Sequence, residues 1–373
     1  MKRLVLAFAA ALAVLPAAAF AALPATDAVI KGAAFIKTVQ RSDGGYAESP
    51  GQSIDAIIAV RAAGYDPRLD VKDGKSPVDW LTAAAPSITS PALAAKAALG
   101  AKALGLDPKN VGGVNLIAVA QGGYNAETGA YANNAFSQSI AILGLACTGN
   151  TVGAKAADNL KALAVQGGGW GFGGNADPDS TAIAIQALLA AGVPKTDPKV
   201  AEGLAWLKAN QGNDGGWGFD PNDSNTSSTA FAIQALLALG EDPESAAYTK
   251  NGVTPVQYLL SKQLPDGSFV GYDPAFAANQ VVPALAGRTF CNAAETPITR
   301  TRPAAQPTPT PQPTTPAASP TPRATTPAPR PPATGDTAAA QPGSPVPLLA
   351  AGGLLLLALG GAAAAAAARR SGA

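Results

Sequence analysis

"LKANQGNDGGWGFDPNDSNTSSTAFAIQALLALG", residues 207–240, leaves a helix-like run through a Gly-Gly-Trp-Gly loop and enters a second, almost wholly apolar run. Residues 163–192, "LAVQGGGWGFGGNADPDSTAIAIQALLAAG", write nearly the same phrase. Apolar runs ending in glycine recur at Gly64, Gly105, Gly149, Gly192, Gly240 and Gly287, at intervals of 41, 44, 43, 48 and 47 residues. A period of this size marks a repeat architecture in which each unit buries its apolar face on its neighbours. Every unit has room for two helices. The second of each pair ("SIDAIIAVRAAG", "SPALAAKAALGAKALG", "SQSIAILGLACTG", "STAIAIQALLAAG", "STAFAIQALLALG", "NQVVPALAG") is apolar on nearly all sides, the signature of a buried helix. The first is amphipathic, as in "DPKVAEGLAWLKANQ", where Lys199, Glu202 and Lys208 are spaced for water. An open array needs a polar cap on its last repeat, and the last helix here is as apolar as the rest. Closure resolves this. The expected fold is all-α, an (α/α)6 barrel (toroid) of six helical hairpins with the apolar helices inside.

The ends of the 373-residue chain stand apart from this pattern. Residues 1–22 read as a signal peptide: Lys2 and Arg3, an apolar run, then Ala19-Phe20-Ala21 as a small-residue cleavage pattern. The toroid is expected over 23–300. Residues 301–345 are rich in Pro, Thr and Ala, a composition that cannot bury a core and favours an extended, disordered linker. Residues 346–368 carry no charge and reach about the 20 residues needed to cross a bilayer. Arg369 and Arg370 in the tail 369–373 supply the positive cytoplasmic flank. The toroid is therefore expected outside the cell, with the membrane or the wall as the partner of the C-terminus.

Composition excludes several chemistries. The net charge of +1 gives no reason to expect nucleic acid as a partner. With no histidine, no mechanism can use imidazole as base, acid or metal ligand. Two cysteines are too few for a thiolate cluster, so neither metal nor cofactor is expected.

The loops carry a resemblance. Lys31-Gly32, Phe35-Ile36, Gln40, Gly44 and Tyr46 have the spacing K-G-x2-F-I-x3-Q-x3-G-x-Y. Gly203, Trp206-Leu207, Gln211, Gly215 and Trp217 repeat it, and Tyr258-Leu259, Gln263, Gly267 and Phe269 repeat its second half. Gln166 with Trp170, and Gln121 with Tyr124, are shortened copies. This resembles the QW repeat of the prenyltransferase and squalene-cyclase superfamily, over residues 28 to about 288. Locally, the Gln amide is expected to satisfy backbone groups at the end of the outer helix. The glycines permit the turn, and the aromatic side chain covers the next repeat.

Squalene-hopene-type cyclases carry an Asp-x-Asp-Asp motif followed by Thr-Ala, whose middle aspartate protonates the substrate. "DPDSTA", residues 177–182, matches with Ser180 in place of the third aspartate. The resemblance thus offers Asp177 and Asp179 as catalytic candidates. The next repeat writes "SSTA", with Ser227 opposite Asp179. Asp and Ser share the helix N-cap role, so Asp179 is expected to cap its helix. Other arrangements of the superfamily are absent. Zinc-binding prenyltransferase subunits need a histidine, and thioester domains need a Cys-Gly-Glu-Gln stretch. The corrinoid-binding barrels of the intrinsic factor and transcobalamin family remain as non-catalytic relatives.

The expected ligand site lies where the inner helices begin, among Ser180, Thr181, Ser227, Ser228, Thr229, Asn279 and Gln280. Parallel helices would aim their N-terminal partial positive charges there. The leading expectation is a surface-anchored, non-catalytic binder of a small molecule (corrinoid, lipid or isoprenoid-like) or a protein partner. The alternatives are a terpene cyclase or mutase using Asp179 as proton donor, and a purely structural surface module. Cys147 ends the third inner helix and Cys291 follows the sixth by about four residues. In a six-pair ring that length of chain reaches most of the way across the far end, and with slight relaxation of the Cys147 loop a disulfide is expected there. Two separate buried thiols are the alternative. Finally, Pro331 to Gly335 resembles a sortase sorting signal, which implies cleavage between Thr334 and Gly335. A plain membrane anchor is the other reading.

Overall fold

The computed structural model describes residues 25–301. The signal-peptide, linker, sorting-signal and membrane-span expectations lie outside these residues. Six helical pairs follow one another: α1 (Thr26–Thr38) with α2 (Pro50–Ala62), α3 (Pro77–Ala84) with α4 (Pro91–Ala103), and α5 (Leu116–Gly122) with α6 (Ala135–Cys147). Then come α7 (Ala156–Ala162) with α8 (Pro178–Ala190), α9 (Pro198–Ala209) with α10 (Thr226–Leu239), and α11 (Pro255–Ser261) with α12 (Pro274–Leu285). Each even-numbered helix packs on the next, and α12 packs on both α1 and α2. The ring is closed. Burial separates its two layers: 12 of the 14 residues of α10 are buried, against 3 of the 12 in α9. All six glycines that set the period leave their inner helix with positive φ, the left-handed conformation that ends a helix at low cost.

The QW turns stitch each unit to the next. Gln40 Nε2 donates to its own turn at Gly44 O (3.3 Å) and onward to Asp70 O (2.8 Å). Gln211 does the same to Gly215 O and Tyr248 O, at 2.9 and 2.7 Å. Gln263 reaches Gly267 O and then Ala28 O (2.9 Å), which joins the sixth unit to the first. The glutamine therefore ties repeats together rather than finishing its own helix, because α1 has already ended at Thr38. Gln166 is exposed and makes no such bond among the described residues. The turn glycine has a second function. A Cβ on Gly44 would lie 2.2 Å from Ser76 O, and one on Gly267 2.3 Å from Lys31 O, so a side chain would push the next unit away. The aromatic residues Trp170, Trp217 and Phe269 are fully buried. Trp170 and Trp217 donate their indole N–H to Leu160 O and Leu207 O (2.7 and 2.8 Å), and the Trp170 ring occupies the space a Cβ on Gly203 would need. Tyr46 donates to Asp70 Oδ2 at 2.7 Å.

Two features depart from an all-α ring. Short antiparallel hairpins, β1 (Gly171–Phe172) with β2 (Asn175–Ala176) and β3 (Trp217–Asp220) with β4 (Asp223–Asn225), lead from the QW turns into α8 and α10. Beyond α12 a strap crosses the ring's far end. It contains α13 (Phe290–Ala293), which contacts α2 and α6. Cys291 is joined to Cys147 by a disulfide with the Cα atoms 4.9 Å apart. Phe290 N donates to Gln186 Oε1 (3.0 Å), Arg61 Nε to Thr296 O (2.6 Å), and Lys102 pairs with Glu295. The C-terminal ends of α2, α4 and α6 thus meet one segment, which fixes them on one face. The N-terminal ends form the other.

Small residues set the ring's tightness. A Cβ on Gly144 of α6 would lie 2.2 Å from Ala95 O in the α4 backbone, a contact only a backbone shift can relieve. Gly144→Ala is expected to lower stability by about 1–3 kcal/mol despite the better helix propensity of alanine. Urea unfolding measures this. An unchanged or raised midpoint would contradict the close approach.

Candidate functional site at the inner-helix N-terminal mouth

The first turn of α8 is built by Asp177. Its Oδ1 accepts from Ser180 N (2.7 Å), its Oδ2 accepts from the Ser180 hydroxyl (2.9 Å), and Pro178 occupies the first helical position. Asn225 does the same for α10, accepting from Ser228 N at 2.8 Å, and Asn134 caps α6. The cap is therefore Asp177, with Asn225 as its counterpart, and the expectation that Asp179 caps α8 is corrected. The reason is backbone geometry: Asp177 and Asn225 are both extended (φ −132° and −128°) and the helices begin directly after them, at Pro178 and Thr226, a first position that a proline suits but does not dictate. Asp179 and Ser227 are left one position inside the first turn.

Asp179 is thereby freed for something else. Its Oδ1 is shielded from solvent and has no hydrogen-bond partner among the described residues. Burial pushes its pKa up to about 7; the neighbouring Asp177 charge adds to the rise, and a hydrogen bond from Ser228 opposes it. Asn225 Nδ2 donates to Ser228 Oγ (3.0 Å), which leaves the Ser228 hydroxyl proton for Asp179. Burial also raises Asp177, against the two bonds from Ser180. At neutral pH the pair shares a desolvated corner in which about half of Asp179 carries its proton.

The other expected site residues divide. Thr181 Oγ1 accepts from Trp170 N (2.9 Å) and donates to Trp170 O, and Thr229 Oγ1 accepts from Trp217 N (2.9 Å). Both hold the QW aromatics in place. Asp177, Asp179, Ser180, Ser227 and Ser228 share the adjoining first turns of α8 and α10. Asn279 and Gln280 do not lie where an inner helix begins, because α12 starts five residues earlier at Pro274, capped by Asp273. Asn279 donates to Gln52 O and Gln280 to Asp55 Oδ2, both at 3.3 Å, so they belong to the α12–α2 contact.

That contact exposes residues the sequence reading missed. Asp55 of α2 and Lys96 of α4 form a shielded ion pair at 2.6 Å. Burial raises Asp55, opposed chiefly by Lys96. The legible signal was a charge midway along each apolar run, six residues after the N-caps Ser49 and Ser90 and well before the last-turn cations Arg61 and Lys102. The opposite arc is apolar: Phe136 of α6 and Phe231 of α10 meet edge to face at 6.3 Å, past the intervening α8. The interior thus has a charged α12–α2–α4 side and an aromatic α6–α10 side. Among the described residues no group of His, Cys, Asp or Glu is arranged to hold a metal.

Known proteins share this geometry. Residues 138–280, from α6 to α12, match the squalene-hopene cyclase C-terminal domain. Over 96 residues the chain is 34% identical to the squalene–hopene cyclase of Zymomonas mobilis subsp. mobilis, an alignment covering 22% of this chain and 14% of that enzyme. The chain spans only that small share of its relative. Among solved structures, the type II terpene cyclase MstE from Scytonema, in complex with geranylgeranyl dihydroxybenzoate, aligns with a TM-score of 0.56 at 14% identity. That alignment covers 73% of this chain and 97% of the cyclase. Haptocorrin in complex with Cbi aligns at 0.50 and 17% identity, covering 71% and 67%. The fold is the α/α toroid that these proteins share. The segment that matches the squalene-hopene cyclase C-terminal domain contains the Asp177–Ala182 turn.

The Asp179 environment has a measurable consequence. Between about pH 4 and 7 the folded protein keeps a proton that the unfolded chain has released, so this residue's contribution to stability falls as pH rises and is least favourable above 7. Asp179→Asn, which cannot ionise, is expected to match wild type near pH 4. At pH 8 it should exceed wild type by an amount on the order of 2–4 kcal/mol. Denaturant midpoints across this range test it. A difference that does not grow with pH would show that Asp179 ionises as an ordinary surface carboxyl.

Proposed function

We infer that the protein is a terpene-cyclase-like enzyme acting on an isoprenoid-type substrate, with Asp179 as the proton donor. One observation carries this reading: Asp179 is a buried carboxyl whose Oδ1 has no partner among the described residues and whose pKa, raised to about 7, keeps about half of it protonated at neutral pH. Proton-initiated cyclisation needs such an acid, because an alkene accepts a proton only from a donor that water has not already neutralised. After transfer, the Ser228 hydroxyl stabilises the carboxylate. The aromatic arc of Phe136 and Phe231 offers ring faces to a developing carbocation. The match to the squalene-hopene cyclase C-terminal domain over 138–280 supports the same class.

Non-catalytic binding of a corrinoid, lipid or isoprenoid-like ligand at this mouth is the second reading. Two observations favour it. Ser180 replaces the third carboxyl of the cyclase motif, and the Asp55–Lys96 pair places an ammonium within the ring, where a carbocation would be repelled. Incubation of the full-length protein with squalene and with geranylgeranyl substrates in deuterated water distinguishes the two. Catalysis predicts cyclised products carrying one deuterium and a loss of about 10²–10⁴-fold in rate for Asp179→Asn. Saturable binding without product, equal in wild type and Asp179→Asn, would overturn the enzymatic reading in favour of the binder.

A further inference from the structure

The opposite face of the ring holds a cavity of about 170 Å³ at the seam where α1, α2 and α12 meet the strap. One ordered water needs about 10–15 Å³, so this space suits a small molecule. Its lining combines two guanidiniums, Arg288 and Arg300, with Thr26, Thr296 and Thr299 over an apolar floor that includes Leu285. No carboxylate lines it. Arg288 Nε is shielded from solvent and has no hydrogen-bond partner, and neither arginine has an ion-pair partner among the described residues. The nearest strap acid, Glu295, is committed to Lys102. The Thr296 hydroxyl donates to Asn292 O, whereas those of Thr26 and Thr299 have no partner among the described residues.

Charge decides what the cavity accepts. The C-terminal ends of α2 and α12 point here and contribute roughly −0.5 charge each. The N-terminus of α1, whose first residue Thr26 lines the cavity, offsets one of them, and the two guanidiniums outweigh the rest, leaving about one to two positive charges in a partly desolvated site. A buried guanidinium N–H without an acceptor carries a free-energy penalty that a charged oxygen removes.

We propose that this cavity is an oxyanion-binding site, taking the phosphate or carboxylate group of a small molecule between Arg288 and Arg300. The backbone N–H groups of Thr299 and Arg300 already anchor to Gly64 O, both at 3.0 Å, so the strap presents Arg300 to the seam in a fixed position. A bound anion links the end of α12 to the end of the strap across α2, and so ligation tightens the closure of the ring. The site is separate from the Asp179 mouth and does not depend on the proposed chemistry there.

The test uses the full-length protein with inorganic phosphate and, separately, acetate as probes, against chloride at constant ionic strength. Calorimetric titration and thermal melts are expected to show saturable binding and a saturable rise in Tm. Arg288→Gln and Arg300→Gln are each expected to weaken affinity about tenfold or more, the loss of one charge-assisted contact. Thr299→Val, a smaller change, should weaken it less while leaving far-UV circular dichroism unchanged, which covers the case of an arginine variant that fails to fold. A phosphate preference would point to a phosphoryl ligand and parity with acetate to a carboxylate; both support the site. No saturable binding to wild type, or a phosphate effect identical in the folded arginine variants, would overturn it.

Discussion

The structure depends on one repeated contact: a glutamine amide that bonds its own turn and the backbone of the next unit. Each bond contributes only about 1 kcal/mol net. Its geometric effect is larger, because the amide can reach onward only if the turn glycine carries no side chain. Gln263 to Ala28 closes the series on itself, and closure is what allows α12, apolar to its end, to be buried like the other inner helices. It also puts all the inner-helix N-termini on one face. The strap with its Cys147–Cys291 disulfide occupies the other.

Closure makes the interior a place where charge is expensive, and two of the buried acids there are handled in opposite ways. Asp55 and Lys96 answer one another, with Gln280 completing the carboxylate's partners. Asp179 has no cation opposite it. A carboxyl in that position keeps its proton instead, and Ser228 and Asp177 adjust the balance. The cap links this to the local fold: because Asp177 closes the first turn of α8, the next acid has no capping role. A buried carboxyl that no helix end requires is the feature of the mouth most easily explained by chemistry on a ligand.

Much of this was legible in the sequence. The 41–48-residue period, the apolar character of "STAIAIQALLAAG" and the Q-x3-G-x-aromatic spacing were enough to expect the paired helices and their ring. The site was harder to read for physical reasons. Asp179 and Ser227 do occupy equivalent positions, but both lie two residues past the caps Asp177 and Asn225; Asp/Asn is as good a cap pair as Asp/Ser, so alignment alone does not choose between them. The run "NQVVPALAG" begins at Asn279, but α12 starts five residues earlier at Pro274, a turn the apolar pattern alone does not mark. The Asp55–Lys96 pair joins residues 41 positions apart and becomes visible only once α2 and α4 are adjacent. The hairpins before α8 and α10 are too short for any periodic pattern to reveal them.

The central claim is that Asp179 holds its proton inside the ring up to about neutral pH. Selective ¹³C labelling of aspartate carboxyls, with Asp179→Asn to assign the signal, measures its titration directly by NMR. The account predicts a midpoint of about 7, which falls when Asp177 is replaced by asparagine. A midpoint near 4, unmoved by that substitution, would contradict it.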